Sequence, residues 1–211
     1  MMRYLLCTFS IFIGTMAFGQ DSTKVSIKGG LQVYVDYGKL LTQPVDFESK
    51  LEFGLAYQLR SRFQPNFQYG IATITPEDAI VNGSYEVSGS YWRAGLNYLL
   101  PLDNSSFLYA GLKYAQSQFE DAGNYQIESD LWPTYTGSFQ RSDLSATWYE
   151  IILGSERLLR NGHILLGGQT GIRLLADRSE EAFIDIYSIP GYGYSSDKAS
   201  PFVNLYIKYQ F

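Results

Sequence analysis

Eight stretches of this chain alternate apolar and polar side chains with a period of two, a rhythm that fits β-strands with two unlike faces. They span 28–41, 49–60, 64–75, 89–100, 107–118, 144–156, 163–175 and 201–211. Each is close to the ~9–11 residues that a tilted strand needs to cross a bilayer. One face carries Leu51, Phe53, Leu55, Tyr57 and Leu59 in the second stretch, and Trp92, Ala94, Leu96, Tyr98 and Leu100 in the fourth. In the last it carries Val203, Leu205, Ile207, Tyr209 and Phe211. Taken at alternate positions over 31–37, 51–59, 67–71, 92–100, 108–114, 149–153, 164–174 and 203–211, this face holds no charge, and only Gly168 and Thr170 are neither apolar nor aromatic. The opposite face mixes small residues with polar ones, as in Glu52, Gly54, Ala56 and Gln58, or Arg93, Gly95 and Asn97. Apolar outside and polar inside is the dyad pattern of a membrane barrel.

A soluble barrel would show the same period with its faces reversed. That arrangement fits poorly, because an eight-stranded interior holds only modest side chains and the apolar face is crowded with Tyr, Phe, Trp and Leu. The polar face is rich in Gly, Ala and Gln, which suits a narrow filled lumen. Connection lengths alternate as well. Residues 60–64, 101–106 and 157–162 are short, with hairpin chemistry at Asn161-Gly162, whereas 76–88, 119–143 and 176–200 are long. The connection at 42–48 is a fairly short exception. With both termini periplasmic, the short turns face the periplasm and the long loops face outward.

The N-terminus has the layout of a secretory signal peptide: Arg3, an apolar run from Leu5 to Met16, then Ala17-Phe18-Gly19 before a cleavage point at Gln20. The run is shorter than the ~20 residues of a membrane-spanning helix. A signal anchor is the lesser alternative, and Cys7 behind Leu6 makes a poor lipid-attachment site. Segment 1–19 is therefore expected to be removed, leaving 20–211 as one domain without cysteine, disulfide or thiolate metal site. Aromatic residues make up 16% of the chain and charged residues 18%, against about 25% charged in soluble domains. That balance suits aromatic bands at two membrane interfaces.

The terminal alternation ending in Tyr209 and Phe211 resembles the C-terminal sorting signal of outer-membrane barrels. Together with the eight stretches and the signal peptide, it makes the mature chain similar to small outer-membrane barrels of the OmpA and OmpX type, and to uncharacterised barrel families. The resemblance implies an all-β, eight-stranded antiparallel up-and-down transmembrane barrel, export to the outer membrane, and recognition by the barrel-insertion machinery. It implies no activity, because function sits on sites and not on folds.

The lumen face presents four acids, Asp36, Glu52, Glu150 and Glu156, and four bases, Arg93, Lys113, Arg173 and Lys208. Equal counts permit a self-neutralising network that fills the barrel, since buried charges persist only when paired. An ion path or proton relay is the functional alternative. Glu52 and Glu150 as an acid–base pair would need a cleft that a sealed lumen lacks. His163, the only histidine, follows Asn161-Gly162 and falls at the periplasmic end, away from the outer rim where such a base would act. One His and no Cys in the mature chain leave a metal site unsupported, and no cofactor motif is present.

The long loops are acidic: residues 119–143 hold Glu120, Asp121, Glu128, Asp130 and Asp143 against Arg141. Such a surface disfavours nucleic acid and could attract a basic partner or Ca²⁺, although ordinary solvated loops are the better explanation of the charges alone. The loops are also aromatic, with Tyr125, Trp132, Tyr135 and Phe139 in one and Phe183, Tyr187, Tyr192 and Tyr194 in the other. Such residues anchor protein interfaces; packing on one another as a lid, or seating in the headgroup band, would use them equally. The expectation is a monomeric, non-enzymatic barrel in contact with outer-membrane lipid. Its structural or accessory role would engage another outer-membrane or surface protein through loops 119–143 and 176–200. A narrow channel for small solutes or ions is the alternative, and a lipid-modifying enzyme is less favoured. With the sequence read to Phe211, no periplasmic domain is expected after the barrel, and peptidoglycan anchoring by this chain is not expected.

Overall fold

A computed structural model describes residues 29–36, 48–59, 62–76, 79–128, 130–160, 162–180 and 184–211. The expected signal peptide, Asn161 and Phe183 lie outside the described residues, as does most of the connection at 42–48. The barrel strands are β1 (Leu31–Asp36), β2 (Glu48–Tyr57), β3 (Phe63–Ile74), β4 (Gly83–Pro101), β5 (Ser106–Ile127), β6 (Tyr135–Leu158), β7 (Ile164–Arg178) and β10 (Ala199–Gln210). A two-stranded ribbon, β8 (Ser188–Ile189) and β9 (Gly193–Tyr194), sits between β7 and β10. The eight long strands close in the order β1-β10-β7-β6-β5-β4-β3-β2, and every neighbouring pair is antiparallel. Closure removes the free edges that an open sheet would expose.

Each side chain's face follows the alternation. Gln32, Glu52, Gln68, Arg93, Lys113, Glu150 and Lys208 are all at most 3% exposed. Their neighbours Phe53, Leu55, Tyr69, Leu96, Ile151 and Val203 stand outward, Phe53 at 49% and Val203 at 70%. The soluble barrel with reversed faces is therefore excluded: water would face Phe, Leu, Ile and Tyr around the wall. An aromatic band closes the top of this belt. Trp92 packs on Tyr114 and Tyr114 on Tyr149, at ring-centroid distances of 5.5 and 5.6 Å, and Phe67 stacks on Trp92 at 6.3 Å. A second band at the other end pairs Phe63 with Tyr98 and Tyr209 with Phe211. From Leu100 to Trp92 a strand climbs about 26 Å, or about 20 Å along the normal at a tilt near 40°, close to the ~25 Å apolar band of such barrels.

Three strands run further than the apolar pattern predicts. Strand β4 begins at Gly83 rather than 89, β5 continues to Ile127 rather than 118, and β6 begins at Tyr135 rather than 144. The expected loop 119–143 is thus mostly a hairpin, paired from Phe119↔Leu144 to Ile127↔Tyr135 with one register shift between Phe119 and Asp121. Above the belt the outward residues become polar, so the contrast that marks a strand fades although the backbone stays extended. From Tyr114 to Ile127 the strand rises about 43 Å along its axis, so a three-stranded wall stands roughly 30 Å above the belt.

Inside, large rings lie over glycines directly across the ladder. Tyr91 faces Gly70 and Tyr109 faces Gly154; a Cβ added at either glycine would fall 2.3 Å from the ring. Only glycine allows those rings to lie flat across a lumen this narrow. Two buried clusters result, a lower one around Tyr34, Leu99, Tyr109, Ile152 and Tyr206 and an upper one around Tyr85, Val87, Tyr91, Phe119 and Trp148.

Candidate functional site

Glu52 on β2 is the hub of the lumen. Its carboxylate accepts from Arg93 Nη1 at 2.9 Å to each oxygen, from Tyr91 Oη at 2.6 Å and from Gln68 Nε2 at 3.0 Å. Lys50 Nζ stands 3.2 Å away. Arg93 reaches on with Nε to Glu150 at 3.0 Å. Glu150 also holds Arg173 at 3.3 Å and accepts from Trp148 Nε1 at 2.9 Å. Lys113 joins through Gln68, donating to its Oε1 at 2.7 Å. Five charged residues from β2, β4, β6 and β7 thus form one continuous group across the barrel. Nearer the short turns, Lys208 pairs with Glu156, which also accepts from Tyr206 Oη at 2.8 Å. Tyr206 in turn meets the Tyr109 hydroxyl at 2.7 Å. Asp36 is buried on the same lumen face.

Of the eight charged residues expected in the lumen, the structure joins Glu52, Arg93, Glu150 and Arg173 directly, links Lys113 through an amide, and places Glu156 with Lys208 lower down. Glu52 and Glu150 share Arg93 between them, so both are engaged as structural acceptors. Three charged residues were missed. Lys50 has the same parity as Glu52 and needed only one more step of the alternation. Asp121 and Arg141, counted as solvated loop charges, form an ion pair on the upper wall with Asp121 1% exposed. Continuing the period past 118 would have found them. Tyr85 Oη donates to Asp121 at 2.8 Å; burial, then this carboxylate, pushes its phenol well above the usual range.

The connection after β7 turns inward. Arg93 Nη2 donates to the carbonyl of Gly191 at 2.8 Å, and Arg173 Nη1 to that of Tyr192 at 2.7 Å. Ile186, Ile189 and Tyr192 are at most 1% exposed and complete the upper cluster. Tyr192 meets Trp148 edge-on at 5.6 Å. Gly191 supports this path twice: its φ of +82° suits glycine, and a Cβ there would lie 2.5 Å from the Tyr91 ring. The segment is a plug pinned by the same arginines that bind the lumen acids. At its flank Arg178 pairs with Asp185 at 2.9 Å, and the hydrogen bond from Arg178 holds the Asp185 carboxyl below its ordinary range.

The loop aromatics are therefore divided. Tyr192 lies inside the barrel, contrary to a place on a partner-facing surface, because two buried arginines and Trp148 hold it there. Tyr187 is half-buried against Tyr85 and Tyr194, while Tyr194 itself is 47% exposed. Phe139 is half-buried between Tyr85 and the Arg141 guanidinium. Tyr125 is half-buried beside Tyr135. At the hairpin tip Ile127 is 56% exposed, Leu131 86%, Trp132 75% and Tyr135 60%. At the opposite end His163 stacks on Tyr209 at 5.7 Å, its Nδ1 3.1 Å from the Gln210 carbonyl. Phe211 is fixed by its own N–H, which donates to Leu31 O at 3.1 Å. Among the described residues no group of three or more His, Cys, Asp or Glu is placed to hold a metal ion.

Among solved structures, the chain is similar to the N-terminal β-barrel domain of Pseudomonas aeruginosa OprF, at 12% identity and TM-score 0.41, covering 87% of this chain and 100% of that one. It is also similar to Ail, the attachment invasion locus protein of Yersinia pestis, solved with the heparin analogue sucrose octasulfate: 9% identity, TM-score 0.44, 88% and 100% covered. A third is CarO2 of Acinetobacter baumannii, with 12% identity, TM-score 0.46, and 87% and 98% covered. No curated protein matches the sequence. Residues 1–211 match one family in full, and the chain belongs to it: the domain of unknown function DUF6048.

Proposed function

We propose that this protein is a non-enzymatic outer-membrane barrel with a structural or accessory role, and that it engages another surface or outer-membrane protein through the tip of the β5–β6 hairpin. The observation that carries this reading is the contrast between the two outer segments. The connection after β7 spends its apolar residues on the plug, while Ile127, Leu131, Trp132 and Tyr135 stay exposed at the end of a paired stalk. Large apolar and aromatic groups held away from the protein's own core are what an interface needs at its centre. The stalk lifts them beyond the headgroup layer, so lipid contact does not account for them. The acids Glu128 and Asp130 beside them favour a basic partner. The test is affinity purification from mild-detergent outer membranes, with a tag placed after Gln20. A stoichiometric companion that is lost when residues 128–134 are replaced by a two-residue turn supports the reading. A barrel that purifies alone refutes it.

A second reading, a narrow channel for small solutes or ions, has one observation in its favour. Gln58 Nε2, Asn66 Oδ1, Asn97 Oδ1 and both polar atoms of the Asn204 side chain are buried without a hydrogen-bond partner. Buried amides of this kind call for internal water, which would give the barrel a wet interior below the charged layer. The Glu52–Arg93–Glu150–Arg173 group crosses the path above it, so the channel reading requires that group to move.

A further inference from the structure

We propose that the outward face of the β4–β5–β6 wall, directly above the aromatic band, binds the neutral saccharide headgroup of an outer-leaflet glycolipid. The inference rests on the outer-membrane reading given above. The outward positions change character at one height on all three strands. On β4, Leu96, Ala94 and Trp92 give way to Ser90, Ser88, Glu86 and Ser84. On β5, Leu112 and Tyr114 give way to Gln116, Gln118, Glu120, Ala122 and Asn124. On β6, Ile151 and Tyr149 give way to Thr147 and Ser145, with Gln140 and Ser138 above. The new surface has hydroxyls and amides, three acids (Glu86, Glu120 and Asp143) and no base.

That chemistry selects its ligand. Without Lys or Arg there is nothing to hold a phosphate or sulfate directly. Hydroxyls and amides both donate and accept, which matches the dense, uncharged hydroxyl groups of a sugar. The side-chain amides of Gln116, Gln118 and Gln140 have no hydrogen-bond partner among the described residues. Some of the groups are already engaged: the Ser88 hydroxyl donates to Glu120 at 3.5 Å, and Asn124 Oδ1 accepts from the Ser84 N–H at 3.1 Å.

The face is also shaped. Ser88, Ser90, Gln116, Gln118, Glu120 and Ser145 line an open groove of about 560 Å³, within the ~300–1,000 Å³ of small-molecule sites. The sheet is distorted here: the register shifts between Phe119 and Asp121, and Asp143 takes a φ of +62°. Backbone held in a sparsely populated region tends to mark binding sites, and Glu120 and Asp143 both line the groove. Immediately below lie the rings of Trp92, Tyr114 and Tyr149 and then the apolar belt. A sugar carried on a lipid would meet the groove while its chains lie along that belt, so both parts of one molecule are accommodated. A free saccharide would use only the upper part.

The full chain is purified and reconstituted in phosphatidylcholine vesicles with and without a neutral galactolipid, and retained lipid is counted by native mass spectrometry after extraction. The wild type is expected to retain the galactolipid in preference to phosphatidylcholine by at least tenfold. The double variant Gln116→Ala/Gln118→Ala, whose side chains point away from the lumen, is expected to insert normally and lose that preference. Equal retention of both lipids by the wild type, or unchanged preference in the variant, overturns the proposal. Competition by free galactose at the concentration where the galactolipid binds overturns the lipid-borne source. Failure of the wild type to insert into either vesicle overturns the outer-membrane reading itself, a separate outcome.

Discussion

Replacing Glu52 with Ala removes the acceptor at which Arg93, Lys50, Tyr91 and Gln68 converge. The cost follows from what each partner keeps. Arg93 retains Glu150 at 3.0 Å and the Gly191 carbonyl at 2.8 Å, so its charge stays compensated. Lys50 loses its carboxylate while only 3% exposed and keeps the Tyr91 ring at 5.2 Å. Breaking a buried pair from one side costs about 3–5 kcal/mol. Arg93's remaining contacts argue for the lower half of that range, and the orphaned Tyr91 hydroxyl adds about 1–3 kcal/mol. A net loss of about 4–7 kcal/mol, about three to five decades in the folding equilibrium at ~1.4 kcal/mol per decade, is expected from reversible urea unfolding in lipid vesicles. Gln at 52 preserves shape and one acceptor and should lose less. A loss under about 1 kcal/mol for Glu52→Ala would refute the idea that this carboxylate organises the lumen.

Gly70→Ala places a methyl 2.3 Å from the Tyr91 ring and should destabilise by about 1–3 kcal/mol as overpacking; Gly168→Ala, whose Cβ meets the Leu205 side chain at 3.2 Å and the Asn204 carbonyl oxygen at 3.8 Å, should change stability much less in the same unfolding assay. The Arg178–Asp185 pair flanks the plug with the Asp185 carboxyl held below its ordinary range, so its contribution is full above the unfolded value near pH 4 and is lost as pH falls through the lower folded value. The hydrogen-exchange protection factors of residues 184–195, taken relative to the intrinsic rate at each pH, should therefore fall on acidification below about pH 4, by a factor worth less than about 1 kcal/mol because the pair is partly exposed; unchanged protection would count against the pair's role. In planar bilayers the wild type should show no steady conductance, since the ion network and plug both cross the path; a large, constant current would refute a filled lumen.

Alternation made much of this legible in advance. A strand sends successive side chains to opposite sides whatever lies around it, so the lumen location of Glu52, Arg93, Lys113, Glu150, Glu156, Arg173 and Lys208 was fixed by counting. The outward belt and the barrel's eight strands followed from the same local rule. Where outward residues turned polar, as at Ser88, Gln118 and Ser138, the contrast vanished, and the wall formed by β4, β5 and β6 read as loop.

The sequence by itself determined the fold class, the face of each strand residue, and the end of the barrel where the short turns lie, because each depends on neighbours in the chain. Which charges meet was decided only by the tertiary structure: Arg93 on β4 spans Glu52 on β2 and Glu150 on β6. That contact depends on register and closure, which set height and reach across the lumen and leave no mark in a strand's own pattern. The inward fold of Gly191 and Tyr192 was likewise out of reach. Their aromatic, glycine-rich segment suits an interface or a plug equally, and the choice is made by arginines that lie 98 residues away from Gly191 and 19 away from Tyr192 in the chain.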